Sequence, residues 1–289
     1  MAKISKKIIH KFKNHKSLDK MINLSEAEKA VDALSEVESS WARISKRPEL
    51  DPSFKVYVQM QNMLSIFSEE ISVLDDFVAY YDMLGKLDDE FMPSYPPMSP
   101  VTDSYFSYFL LCDFRFGKEK ETMGSIFKDI AAAFEFDDLM IKAIENLNQS
   151  TVKFYKHIKV ENGLVELEDL LTNDRKRCVS PSNYVGKPNQ IWFVRLVPNL
   201  YNMYDYQVVL NTPYVILEQD EEDWIKYFER QGIEKNDPEM DAKISNIMKH
   251  NKDPKFWLDY IMDAFVNYES NCIYLTGIPD IKGSKPHEL

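Results

Sequence analysis

Two hundred and eighty-nine residues, 44% hydrophobic and 28% charged, supply ample apolar material for a buried core, and at about 150 residues per domain they set a prior of roughly two domains. Eight glycines, fourteen prolines and three scattered cysteines (Cys112, Cys178, Cys272) exclude collagen-like, low-complexity, disulfide-scaffold and four-cysteine zinc chemistry. No apolar run approaches the roughly 18 residues of a membrane span, and no apolar segment of a secretion signal follows the first lysines, so the sequence reads as a soluble cytoplasmic chain with no membrane partner.

The net charge of -12 hides an asymmetry. Residues 1–20 hold seven lysines against Asp19 alone, which is 7 - 1 = +6 and leaves -18 for the rest. Within this basic arm (1–24), Ile4, Ile8 and Phe12 recur every four residues, so a short helix there carries one thin apolar stripe beside its lysines. Such an arm is expected to be solvated or docked on its own body first, and to reach for a partner or nucleic acid second.

Residues 25–85 read as a helical hairpin. Ser25-Glu26-Ala27-Glu28 is a capping box, and Ala27, Ala30, Leu34, Val37, Trp41 and Ile44 follow it at coiled-coil spacing. Pro48 and Pro52 break the chain, after which Met60, Leu64, Phe67, Ile71, Leu74, Val78 and Tyr81 repeat the same spacing and Gly85 offers a stop. Residues 86–155 begin with a proline-rich stretch (93–100) whose interleaved Tyr95 and Met98 suit packing rather than flexibility. Next, 103–116 is apolar almost all round, the pattern of a buried helix, closed by Gly117. Thr122 can cap one further helix and Asp137 or Asp138 another.

The period then changes. Residues 156–217 read as a small antiparallel β module, because Asn162-Gly163 between two alternating segments is a strong hairpin signal and β-branched, aromatic runs separated by prolines follow. Ile191-Trp192-Phe193-Val194, in the run 191–197, is apolar on both faces, as suits a central strand. Residues 218–270 return to helices opened at Asp220, Asp237-Pro238 and Asp253-Pro254, and 271–289 read as a short strand and tail. The expected class is α+β, predominantly helical: an N-terminal helical hairpin, a helical core, a small barrel-like or curled β module and C-terminal helices.

Glycines stand only at 85, 117, 124, 163, 186, 232, 277 and 283, so neither common phosphate-cradling loop is present. The five histidines (10, 15, 157, 250, 287) are dispersed and carry no zinc spacing. One constellation of carboxylates stands out around the buried helix: Asp103, Asp113, Glu119 and Glu121, with Arg115. It reads first as a helix cap, an ion pair of Asp113 with Arg115 or another base, and a favourable helix start. The sharper reading is a magnesium-type site at Asp113, Glu119 and Glu121. The five acids in 218–223 likewise read as a helix cap before a cation site.

Residues 156–217 carry a net charge of +1, seven bases less six acids, an island in an acidic chain. Arg175-Lys176-Arg177 with Tyr184, Tyr201 or Tyr204 could track a phosphate backbone and stack bases. No catalytic residue, cofactor or metal is assigned, and by elimination the chain reads as an interaction or accessory protein whose acidic hairpin or β module binds a protein partner. Nucleic-acid binding through Lys6, Lys7, Lys11 and Arg175, Lys176, Arg177 is the runner-up, and the metal-dependent enzyme is third.

Overall fold

The computed structural model describes residues 3–15, 43, 46–48, 50–71, 77–91, 99–200, 205–234, 238–251 and 253–288. In chain order its elements are α1 (Ile4–His15), α2 (Pro52–Ile71), α3 (Val78–Phe91), α4 (Asp103–Cys112), β1 (Arg115–Phe116), β2 (Glu121–Thr122), α5 (Met123–Ala133) and α6 (Asp138–Gln149). There follow β3 (Val152–Glu161), β4 (Leu164–Asp169), β5 (Arg175–Val179), β6 (Ile191–Pro198), β7 (Gln207–Val209), β8 (Tyr214–Leu217), α7 (Glu221–Arg230), α8 (Met240–Ser245), a π-helical turn (Asn246–His250), α9 (Phe256–Ala264), β9 (Phe265–Glu269) and β10 (Cys272–Thr276). Two units divide the chain: Met1–Lys86 with Arg115–Asn148, and Leu87–Phe114 with Gln149–Leu289.

In the first unit, helices bury Ile8, Tyr57, Met60, Phe77, Ile126 and Ile144. Leu64 of α2 meets Phe127 and Ile130 of α5 and Ile144 of α6 around one small gap, and Asn146 Nδ2 donates to the Tyr57 hydroxyl at 3.1 Å. Thr122 starts α5 as expected. Its hydroxyl oxygen accepts the Ser125 N–H and its own N–H donates to Ser125 Oγ, both at 3.1 Å, closing a capping box.

The second unit is organised by a closed barrel of five strands. β3 pairs with β4, β4 with β5, β5 with β7, β7 with β6, and β6 with β3, every pairing antiparallel except β5 with β7. That Greek-key order with one parallel pair is the strand order of OB-fold barrels. Asn162-Gly163 makes the β3–β4 turn with φ of 52° and 79°, the left-handed backbone that a tight hairpin demands. Inside the barrel lie Tyr155, Val165, Leu167, Cys178, Trp192, Val194, Leu196 and Val209.

β6 is buried on both faces because it serves two layers. Trp192, Val194 and Leu196 belong to the barrel interior cluster, whereas Phe193 joins an aromatic layer with α7 and α9. There Phe154 stacks on Trp224 at 3.8 Å and on Phe193 at 4.5 Å, and Phe193 meets Trp257 at 5.3 Å. Beyond the barrel the sheet continues β6-β8-β10-β9, with β8 and β10 parallel.

The expectation of a predominantly helical chain is overturned: among the described residues helix is 44% and strand 22%, in a mixed α+β fold with a closed barrel. Two segments show how helix is overestimated. The apolar pattern predicts helix through Phe116, yet α4 stops at Cys112 and Arg115 enters the β1–β2 hairpin. Phe265 and Tyr268 fit a helical period, yet Phe265–Glu269 is strand, paired to β10. Short aromatic and β-branched runs satisfy both periods, and a pairing partner decides between them. Gly85 does not stop its helix either, since α3 runs through it to Phe91. The expected cap of α4 also shifts by one, from Asp103 to Thr102, whose hydroxyl accepts the Tyr105 N–H. The first arm of the expected hairpin (25–46), apart from 43 and 46, lies outside the described residues, as do prolines 93, 96 and 97.

Candidate functional site

Asp113, the C-cap of α4, is the carboxylate that burial singles out. Its side chain is 6% exposed and pairs with Arg195 of β6, itself 1% exposed. Arg195 Nη2 donates to Asp113 Oδ2, while Nη1 donates to the Ser150 carbonyl at 2.8 Å and to Ser150 Oγ at 3.0 Å. Lys249 of the π-helical turn, 6% exposed, stands 3.6 Å from Asp113 Oδ1 and donates to the Ser150 carbonyl at 3.2 Å. Two bases and one acid are thus buried together. Burial is the largest single effect and opposes the Arg195 charge, but Asp113, Cys112 and Tyr105 together hold the guanidinium above its usual range. For Lys249 burial wins and its ammonium is pushed down, with Asp113 opposing; burial likewise lifts the Cys112 thiol to about 11.

This cluster ties the end of α4, the start of β3, the middle of β6 and the π-helical turn to one point. A reacting site needs a face open to substrate, and side chains exposed by 1–6% present none. The arrangement is an anchor. The expected pairing of Asp113 with Arg115 or another base resolves to Arg195, with Lys249 as a second base that no sequence motif marks. Its one signal was Arg195 itself, a cation in a strand otherwise apolar on both faces, which can be buried only with a partner.

The other carboxylates do other work. Asp103 is exposed at the first turn of α4 and accepts from Ser107 Oγ at 3.3 Å. Glu119 is exposed in the β1–β2 turn. Glu121 is buried in β2 and caps α1: Oε2 accepts the Ile4 N–H at 2.6 Å and Oε1 accepts from Ser5 Oγ at 3.0 Å. Asp129 of α5 lies 2.8 Å from the same hydroxyl. Among the described residues no group of three or more His, Cys, Asp or Glu is placed to hold a metal ion. In 218–223, Asp220 caps α7 in a capping box with Asp223, and Glu221 pairs with Lys156 at 2.9 Å.

The bases of β5 face acids of their own sheet. In register Glu168 opposes Arg175 and Glu166 opposes Arg177. Arg175 bonds Glu168 at 2.7 Å and Glu166 at 3.3 Å, Arg177 bonds Asp205 at 2.7 Å, and Lys176 lies 3.9 Å from Asp174. The face of strands two and three, where OB-fold barrels hold oligonucleotides, carries Glu166, Glu168, Arg175 and Arg177 and, among the described residues, no aromatic platform. Tyr184 is buried against Trp192 at 5.2 Å instead, while Tyr201 and Tyr204 lie outside the described residues.

At one end of the barrel the 180–190 loop is pinned by His157, which is fully buried. Its Nε2 bonds the Val185 carbonyl at 2.8 Å, which requires the proton there and leaves Nδ1 buried with no hydrogen-bond partner among the described residues. Burial pushes this imidazole down from its usual 6.5, the bond to Val185 opposing. Gly186 adopts φ of 67°, and a Cβ there would meet Trp192 at 2.5 Å, so the loop lies directly on the tryptophan.

Of the arm's lysines, Lys6 is exposed on α1, Lys7 is half-buried, and the Lys11 side chain lies outside the described residues. The described part of the arm is a docked helix: Ile8 and Ser5 are fully buried and α1 packs on α5. Among the described residues no helix is long and apolar enough to cross a membrane. No family model, curated protein or solved structure matches this chain.

Proposed function

We propose that the chain is an accessory protein of the cell interior that binds an extended segment of a protein partner along the open edge of β9. The observation that carries this reading is the strand order. The barrel closes on itself, but the sheet runs on through β8 and β10 and ends at β9, whose outer edge has no neighbour among the described residues. β9 reads Phe-Val-Asn-Tyr-Glu, without the lysine or proline that usually blunts an edge, and Val266 is 44% exposed. Its Tyr268 N–H is held by the adjacent Asn267 Oδ1 at 2.8 Å, a bond that the carbonyl of a docking strand replaces. Three buried, unpaired cysteines suit a reducing compartment.

The test is a photo-crosslinking residue placed at Val266, compared with one at Arg177, in the cells that make the protein. The reading expects a defined protein adduct at 266, absent at 177 and lost when Tyr268→Pro removes the outward N–H of the edge. Equal labelling at both positions, or labelling indifferent to the proline, refutes it.

A further inference from the structure

Independently of the β9 edge, the first unit presents a basic surface that the linear sequence does not reveal. At 100° per residue, Lys3, Lys6 and Lys13 fall within about 80° of one another around α1, roughly opposite Ser5 and Ile8. All three lysines are exposed. Docking of Ser5 and Ile8 therefore holds the lysines outward on a fixed scaffold, spread over about 15 Å of helix.

The same docking brings up a second set of bases. Glu121 caps the first residues of α1, and a Cβ on Gly117 would meet Ile4 Cδ1 at 2.9 Å, so the β1–β2 turn lies against the helix start. That turn carries Arg115, Lys118 and Lys120, all exposed. Of the nearby acids, Glu121 is buried beneath α1 and Asp129 bonds Ser5, so Glu119, exposed between Lys118 and Lys120, is the one acid that stands openly in that turn among these bases. None of these six bases makes an ion pair among the described residues, in contrast to the three of β5.

We propose that this surface, Lys3, Lys6, Lys13, Arg115, Lys118 and Lys120, binds the phosphate backbone of a nucleic acid without reading its sequence. Charge complementarity selects an anion, and three features select this one. Five of the six bases are lysines, point charges suited to scattered phosphates rather than to the bidentate grip on carboxylates that arginine provides. An amphipathic helix that binds membrane inserts its apolar face, whereas the Ile8 face of α1 is buried in the protein. The β5 bases are neutralised by Glu166, Glu168, Asp174 and Asp205, so the contact falls on α1 and its hairpin and not on the barrel.

The experiment is a titration of the full chain by fluorescence anisotropy against a labelled DNA duplex and a single-stranded RNA, over a salt series. Six phosphate contacts give a slope of log K on log salt of about -5 for the duplex, roughly a thousandfold loss between about 50 and 200 mM. The combined variant Lys3→Gln, Lys6→Gln, Lys118→Gln, Lys120→Gln removes exposed side chains only, and its circular dichroism and melting curve should match the parent's. Its slope should fall to about -2, while Arg175→Gln, Lys176→Gln, Arg177→Gln should bind within about twofold of the parent. A parent-like slope in the folded quadruple variant overturns the proposal. So does an absence of salt-sensitive binding, or tighter binding to phosphatidylserine vesicles or polyglutamate than to either nucleic acid.

Discussion

The two basic regions of this chain are both rich in Lys or Arg, yet the fold gives their charges different surroundings. Arg175-Lys176-Arg177 forms a strand, and antiparallel pairing sets Glu166 and Glu168 of β4 across from it, so its charge is answered inside the sheet. Lys3, Lys6 and Lys13 form the outer stripe of a docked helix, where nothing among the described residues stands opposite. A run of bases therefore says little about potential until the neighbouring strand or helix is known. Arg195 marks a third case, a base buried with a carboxylate, where charge serves as an internal tie.

These three settings predict effects of very different size. The largest belongs to the buried tie. Arg195→Ala takes from Asp113 the base that hydrogen-bonds it, leaving Lys249 at 3.6 Å as its remaining buried partner, and should cost about 3 to 5 kcal/mol in denaturant unfolding. Replacing the cluster together (Arg195→Met, Asp113→Leu, Lys249→Met) should recover most of that, and failure to recover would mean that the ions carry more than anchoring. Next comes Glu121→Ala, which removes charged hydrogen bonds to Ile4 and Ser5 and should cost about 1.5 to 3 kcal/mol. The same variant should make α1 the first site of proteolysis and flatten the salt dependence of any polyanion binding, because the lysine stripe is then no longer held.

A smaller effect tests a base buried without any acid. The unfolded chain protonates His157 near 6.5 and the folded chain only at lower pH. Stability is therefore complete above about 6.5 and is lost as the pH falls through the window below it, since the unfolded state takes up the proton first. Unfolding measured against pH should show this component in the parent and not in His157→Gln. Least of all, a double-mutant cycle between Arg175 and Glu168 should give under about 1 kcal/mol, because an exposed pair is screened by solvent. A larger coupling there would weaken the contrast between surface and buried charge.

Much of the local structure could be read from the residues, because its causes lie within a few positions. Thr122 meets Ser125 three residues on, Asn162-Gly163 needs only its own positive φ, and Asp220 caps the turn that follows it. The burial of α4 was legible from an apolar surface all round. Edges and ends were less so: Phe265–Glu269 is strand because β10 lies beside it, and its helical period carried no contrary signal.

The sequence by itself determined the caps of α5 and α7, the tight hairpin and the two-sided burial of β6, whereas α8 and α9 begin at Met240 and Phe256, later than expected from Asp237 and Asp253 and without a side-chain cap. Only the tertiary structure decided that Asp113 answers Arg195, 82 residues away, that β3 and β6 close a barrel, and that the β5 bases are neutralised while those of α1 are not. Caps and turns are short-range bonds between neighbours in the chain. Strand register and helix docking set which distant side chains meet, and neither has a local signature.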